Sequence, residues 1–166
     1  MAAYYRPESF CARDCVGYLV ARVHGLMRPQ IEAVFDKQDL SFSQWRVLMC
    51  LRDGLASTCA DIARELSHDS GSLTRLVDQL DQRGLIRRTR DRKDRRVVTL
   101  ALTASGRAAV SAVLPDVVAH CNDLLKDFSH GEVKTLIALL TRLLVRTAEI
   151  EKGVSEAAAS SRERAA

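Results

Sequence analysis

The chain has 166 residues, of which 47% are apolar, and a formal net charge of +4 at pH 7. That length suits one domain with a real core, or a compact domain with accessory helices, and the apolar share is that of a globular protein. No apolar stretch approaches the ~20 residues of a membrane helix, and the first residues lack the apolar core of a secretory leader, so a cytoplasmic protein with no membrane partner is expected.

In chain order, Pro7 to about Lys37 reads as helical, with Val16, Leu19, Val20, Val23, Met27, Ile31 and Val34 at three- and four-residue spacing. Pro29 should kink or divide it. Ser41-Phe-Ser-Gln44 is a capping-box pattern opening a helix with Trp45, Val47, Leu48 and Leu51 that stops at Asp53-Gly54. Ser57 or Thr58 opens a short helix with Ile62, Ala63 and Leu66 inward. After the tight connection Ser67-His68-Asp69, Asp69 or Ser70 caps a further helix through Leu73, Leu76, Val77 and Leu80, ending at Gly84. Two short amphipathic helices joined in this way form a helix-turn-helix.

Residues 83–96 follow, with eight basic and two acidic side chains, a local charge of +6. They are flanked by two strand patterns, Leu85–Arg90 and Arg96–Leu102, which predicts a β-hairpin whose charged tip faces a polyanion, the DNA backbone. Thr103-Ala-Ser-Gly106 caps a helix to about Phe128, bent at Pro115. Ser129-His-Gly-Glu132 is a second capping box, opening a helix with Val133, Leu136, Ile137, Leu140, Leu143, Leu144 and Ala148 on a broad apolar face. From Gly153 the composition shifts to Ala, Ser, Glu and Arg, and a frayed or disordered tail is expected.

The fold class is therefore mainly α with a small β-hairpin wing (α+β). Residues 40–103 form a winged helix-turn-helix domain, residues 1–39 and 104–152 the dimerisation helices, and residues 153–166 the tail. The outer helices carry more apolar surface than a small winged-helix core covers. A second copy of the chain is the economical partner, the alternative being an intramolecular bundle.

The five cysteines, Cys11, Cys15, Cys50, Cys59 and Cys121, are odd in number and form no C-x-x-C pair, so neither a disulfide framework nor a zinc site is indicated. Cys11 and Cys15 lie four apart and are expected to share a helix face. No phosphate-loop, zinc-protease or nucleophile-elbow motif occurs. No catalytic residue, metal site or cofactor is read, and the chain is not expected to be an enzyme.

Three stretches carry a family resemblance: Leu40-Ser-Phe-Ser-Gln-Trp-Arg-Val-Leu48; Asp61-Ile-Ala-Arg-Glu-Leu66 through Ser72-Leu-Thr-Arg-Leu-Val-Asp-Gln-Leu80 to Arg88; and Asp91-Arg-Lys-Asp-Arg-Arg96 followed by Leu102-Thr-Ala-Ser-Gly106. Together they resemble the MarR (multiple-antibiotic-resistance) family of bacterial transcription regulators. The resemblance implies a homodimer that binds a pseudo-palindromic double-stranded DNA operator, acts as a repressor, and is released by a small aromatic or lipophilic effector. In that arrangement the second helix of the motif enters the major groove. Ser70, Gly71, Ser72, Thr74 and Arg75 then lie nearest the bases, with Gln79 and Arg83 reaching the DNA backbone. Arg92, Lys93 and Arg95 are the minor-groove candidates, and Asp94 with Arg96 the wing brace, Arg96 also counting among the DNA-contacting residues. The family's effector cleft would be lined here by Tyr18, Arg22, His24, Met27, Arg28, Trp45, Arg46 and Met49.

Two departures stand out. At the turn, where the family usually has Gly and an apolar residue, this chain has Ser67 and His68. The run Asp69-Ser-Gly-Ser-Leu-Thr74 resembles the family's organic-hydroperoxide-sensing branch, but that branch's reactive cysteine falls at Gly17 and its tyrosines at Ala21 and Ile31. On a continuous helix Cys15 would sit about 200° round from Gly17, so that sensing geometry does not carry over. Thiol-oxidation sensing through Cys11 or Cys15, and a winged-helix scaffold for protein contacts without DNA readout, are the alternative functions.

Overall fold

The computed structural model describes residues 3–36, 38–90 and 97–163. Its elements are α1 (Val16–Val34), α2 (Phe42–Arg52), α3 (Cys59–Glu65), α4 (Ser70–Gln82), β1 (Ile86–Arg90), β2 (Val98–Leu102), α5 (Ala104–Leu124) and α6 (His130–Glu163), preceded by short 3-10 turns at Pro7–Ser9 and Ala12–Asp14. Residues 1–120 and 121–166 form two compact units, the division falling within the last turn of α5.

In the first unit, the sequence expects a helix from Pro7, but α1 begins at Val16. Its first free N–H is taken by a residue far back in the chain: the Val16 N–H donates to the Tyr5 hydroxyl at 3.0 Å, which in turn donates to the Asp14 carbonyl. A helix start needs partners for its orphan donors, and here an aromatic cluster of Tyr4, Tyr5 and Phe10 supplies one. Cys11 and Cys15 consequently do not share a helix face; each is the capping residue of a different turn. Pro29 does not divide its helix, α1 being one element through it, and α5 runs through Pro115 as the single helix the sequence expects.

The core forms where α2, α3, α4, β1, β2 and α5 meet. Leu48, Ile62, Leu73, Leu80, Ile86, Val47, Val77 and Val110 are its fully buried large side chains. Local rules set the element ends. Ser41 accepts from the Gln44 N–H while Gln44 Oε1 accepts from the Ser41 N–H, completing the capping box. Thr58, rather than Ser57, caps α3, and Asp69, rather than Ser70, caps α4. Gly84, at φ +66°, supplies the left-handed residue that lets α4 turn into β1. Thr103 then closes the hairpin onto α5, donating to the Gly84 carbonyl at 2.7 Å and accepting from the Gly106 N–H. Gly106 must be glycine, since a Cβ there would lie 1.9 Å from the Leu85 carbonyl oxygen.

β1 and β2 pair antiparallel from Ile86↔Leu102 to Arg90↔Val98. A contact that the sequence did not predict lies on the other edge of β2. The Leu100 N–H donates to the Ser57 carbonyl at 2.7 Å and Thr58 bridges Thr99, so the α2–α3 connection borders the wing sheet.

In the second unit, Ser129 and Glu132 form the expected capping box. The expected tail is helical instead, α6 continuing past Gly153 to Glu163. Extending an existing helix costs far less than nucleating one, and residues 156–163 are rich in Ala, Glu and Arg, good helix formers.

The helix-turn-helix turn is strained. Ser67 has φ +48°, the only non-glycine positive φ among the described residues. A side chain in the left-handed region costs roughly 1–2 kcal/mol. Ser67→Gly should therefore raise the unfolding free energy by about 1 kcal/mol in urea titration.

Candidate nucleic-acid interface

The sequence of α4 alternates two kinds of residue. Leu73, Val77 and Leu80 are buried with Leu76 partly so, while Ser70, Gly71, Ser72, Thr74, Arg75 and Gln79 are exposed. Burial of the apolar stripe fixes the rotation of the helix, and the polar residues share the outer face as a consequence.

The N-terminal turn of α4 is ordered by Asp69, whose Oδ2 accepts from the Ser72 N–H at 2.8 Å. That bond, with help from the Ser72 hydroxyl, holds the Asp69 carboxyl below its ordinary value. Thr74 donates its hydroxyl to the Ser70 carbonyl at 2.8 Å. Its donor is thus spent within the helix, leaving a methyl group and oxygen lone pairs outward. Arg75 has no hydrogen bond or ion pair among the described residues. An unpaired guanidinium on this face has all its donors available for a guanine edge or a phosphate.

The C-terminal half of α4 is bonded differently. Arg83 Nη2 binds Asp39 Oδ2 at 2.6 Å, and Arg83 Nη1 donates to Gln44 Oε1 at 3.3 Å. Gln44 Nε2 donates to Gln79 Oε1 at 3.1 Å. Gln79 and Arg83, placed near the DNA backbone by the sequence, therefore also tie α4 to the start of α2. Asp39 and Gln44 as anchors of this helix are not legible in the sequence: Gln44 carries only the signature of a local cap, and nothing in the spacing signals a partner about forty residues away.

The wing root is braced in the same way. Arg88 pairs with Asp78 and, through Nε at 3.1 Å, with Asp81, both on α4. The proposed groove-probing tip, Arg92, Lys93 and Arg95, and the brace, Asp94 with Arg96, lie outside the described residues.

The eight effector candidates are not gathered into one place. Tyr18 and Arg22 share a shallow depression on α1 with Ala21, Gly25 and Leu26, and none of the other six lines it. His24 and Met27 are exposed on α1, and Arg28 pairs with Glu32 at 2.9 Å. Trp45 belongs to the core beside Phe35 and Phe42. Arg46 donates to the Leu66 carbonyl at 3.1 Å and lies over the Phe42 ring, and Met49 is half-buried. Among the described residues, Trp45 Nε1 is nonetheless buried without a hydrogen-bond partner, as is His120 Nε2 on α5.

Among the thiols, burial pushes Cys50 and Cys59 up. Cys15 caps α1 from outside the helix, which overturns the 200° estimate. A Cβ at Gly17 would lie 3.9 Å from Cys15 Sγ.

The MarR family model matches residues 40–98, the segment from α2 through the wing. The HTH-type transcriptional regulator PecS of Dickeya dadantii is 33% identical over 127 residues, covering 75% of this chain and 76% of PecS. The chain belongs to the MarR family. Its fold is similar to that of apo MarR from Escherichia coli, with a TM-score of 0.66 and 28% identity over 78% of this chain and 96% of that one. A cysteine-to-serine variant of the same protein, complexed with operator DNA, has a TM-score of 0.63 at 27% identity, covering 76% of this chain and 94% of its own. This MarR-family chain is accordingly a DNA-binding transcription regulator with a winged-helix fold, and its relatives are regulators rather than enzymes. Among the described residues, no helix is long and apolar enough to cross a membrane.

The Asp69 cap has a pH signature. Its folded carboxyl titrates below the ordinary range, so the stability it contributes is complete above the unfolded pKa and is lost as pH falls through the folded one. Between about pH 5 and about pH 2, Asp69→Asn should lose less stability than the parent in denaturant titrations at stepped pH.

Proposed function

We propose that this chain is a homodimeric, ligand-responsive repressor that reads a pseudo-palindromic duplex with the first turn of α4. The observation that carries the reading is the exposed, capped start of α4, with Arg75, unpaired among the described residues, following Ser70, Gly71, Ser72 and Thr74. A helix end of this kind presents backbone N–H groups and short hydroxyls to phosphates and base edges. Arg75 supplies the discriminating contact. Gln79 and Arg83 set the height of the helix and reach phosphates with the donors left over. The wing residues Arg92, Lys93, Arg95 and Arg96 add affinity with little sequence information, Asp94 bracing Arg96.

Two apolar helical faces support the dimer. No described residue of α1 or α6 is buried, and Leu19, Val20, Val23, Leu26 and Met27 on the first, with Leu136, Ile137, Leu140, Leu143 and Leu144 on the second, are exposed. A second copy covering such faces sets two α4 helices roughly 34 Å apart, one turn of duplex. The effector acts by preferring the wrong spacing. The partnerless Trp45 Nε1 supports an acceptor-bearing aromatic ligand near α2, because a buried donor left unpaired is costly.

Fluorescence anisotropy with a duplex obtained by in-vitro selection tests the DNA reading, two chains binding each duplex. Arg75→Ala should cost about 1–3 kcal/mol on the selected site and relax its sequence preference. Arg95→Ala should weaken all duplexes alike and lower the salt slope by about one. Equal loss on selected and scrambled duplexes for Arg75→Ala would remove α4 as the reader.

A second reading, a thiol switch, is favoured by one observation, the approach of Cys15 Sγ to the Gly17 position. Under it, peroxide should release DNA from the parent but not from Cys15→Ser. Release from both would eliminate Cys15 as the sensor.

A further inference from the structure

Three arginines that the DNA reading does not use come from three separate elements: Arg52 closes α2, Arg87 is the second residue of β1, and Arg107 lies in the first turn of α5. The packing of the α2–α3 connection against the β2–α5 junction brings them to one cleft of about 590 Å³. Ligand sites for small organic molecules run from ~300 to ~1,000 Å³.

The cations are not equally engaged. Arg52 is held by Asp53 at 2.8 Å, and Arg107 Nη1 donates to the Leu102 carbonyl at 3.2 Å. Arg87 has no side-chain partner among the described residues and stands opposite the small Ala101 in the strand register. The one carboxylate in the lining, Asp61, is already satisfied by the Thr58 hydroxyl at 2.7 Å and by the Arg64 guanidinium. The rest of the wall includes Leu51 and Leu55, the latter an exposed leucine at the mouth. Unspent positive charge beside aliphatic surface, in a concave space, matches an amphipathic anion.

We propose that this cleft binds a small organic carboxylate, with Arg87 and Arg107 on the carboxylate and Leu51 and Leu55 against its apolar body. Guanidinium groups hold carboxylates through paired, charge-assisted hydrogen bonds. The site lies on both strands of the wing: Arg87 is on β1, and β2 is tied to the cleft's other wall by the Leu100–Ser57 bond. An occupant therefore bridges the wing root and the α2–α3 connection. The proposal does not depend on the effector reading above, which concerns α1 and Trp45.

The test is a heteronuclear NMR titration of the full-length, nitrogen-15-labelled protein with sodium benzoate. Saturable shifts are expected at the amides of Leu55, Ser57, Arg87 and Ala101. Benzyl alcohol, the same body without the charge, should not produce them. Arg87→Ala, which removes an exposed side chain without a partner among the described residues, should keep the parent melting midpoint and weaken benzoate about tenfold, with Arg87→Lys retaining part of the affinity. Absence of shifts at these amides overturns the proposal. So do shifts confined to Tyr18–Met27 with a change in Trp45 fluorescence, which would assign the anion to the α1–α2 site. Unchanged benzoate binding in Arg87→Ala, together with a duplex salt slope lowered by about one, would make Arg87 a phosphate contact and also overturn it.

Discussion

Everything the winged-helix lobe can do depends on how α4 is seated. One face must be buried deeply enough to fix its rotation, and the opposite face must stay bare. Leu73, Val77 and Leu80, all fully buried, supply the first condition and most of the free energy. Rotation alone does not fix the position of a helix along its axis. That is the contribution of the polar bonds around its rim: Asp69 at the start, Arg88 to Asp78 and Asp81 along one side, and Gln79 and Arg83 to Gln44 and Asp39 at the end. Each is largely exposed and contributes little to stability by itself. Their effect is geometric, and a reading head must be positioned to within a fraction of a base step.

Seen from this arrangement, the basic run at residues 83–96 is not one patch. Arg83 and Arg88 are spent on α4 and its surroundings, and Arg87 turns to the cleft behind the wing. Formal charge along a sequence overstates what a polyanion meets, because guanidinium groups already paired offer fewer donors. Positive charge left on the outside gives affinity that is strongly salt-dependent and nearly blind to sequence. Discrimination has to come from the short, capped turn at Ser70–Arg75 and from the spacing of two such turns.

The terminal helices show the opposite imbalance. The winged-helix lobe buries its apolar residues, whereas the described residues of α1 and α6 leave theirs open. Exposed apolar faces of this extent are uncommon on proteins that act alone. In the proposed dimer, the surface that stabilises the assembly also sets the distance between the reading helices. Affinity for DNA then becomes a property of the dimer geometry, and any ligand that biases the geometry changes it.

How much of this was legible in the sequence follows from the range of each interaction. Caps at Ser41, Thr103 and Ser129 were read directly, and those at Thr58 and Asp69 to within one residue, because each bond closes within about four residues. The apolar stripe of α4 was equally legible, since its spacing alone puts Leu73, Val77 and Leu80 on one face. Local rules misled where continuation was at stake: the helix expected from Pro7 starts only at Val16, α1 passes through Pro29 undivided, and α6 passes Gly153. The sequence by itself thus determined the helix-turn-helix and the wing strands, the family resemblance and the face of α4 that is free. Only the tertiary structure decided which charges remain available. Arg83 pairs with Asp39 forty-four residues away, Leu100 with Ser57, and Val16 with Tyr5. The physical reason is that a side chain with several donors takes whichever acceptors the folded chain brings within reach, and that choice is made by packing, not by sequence neighbours.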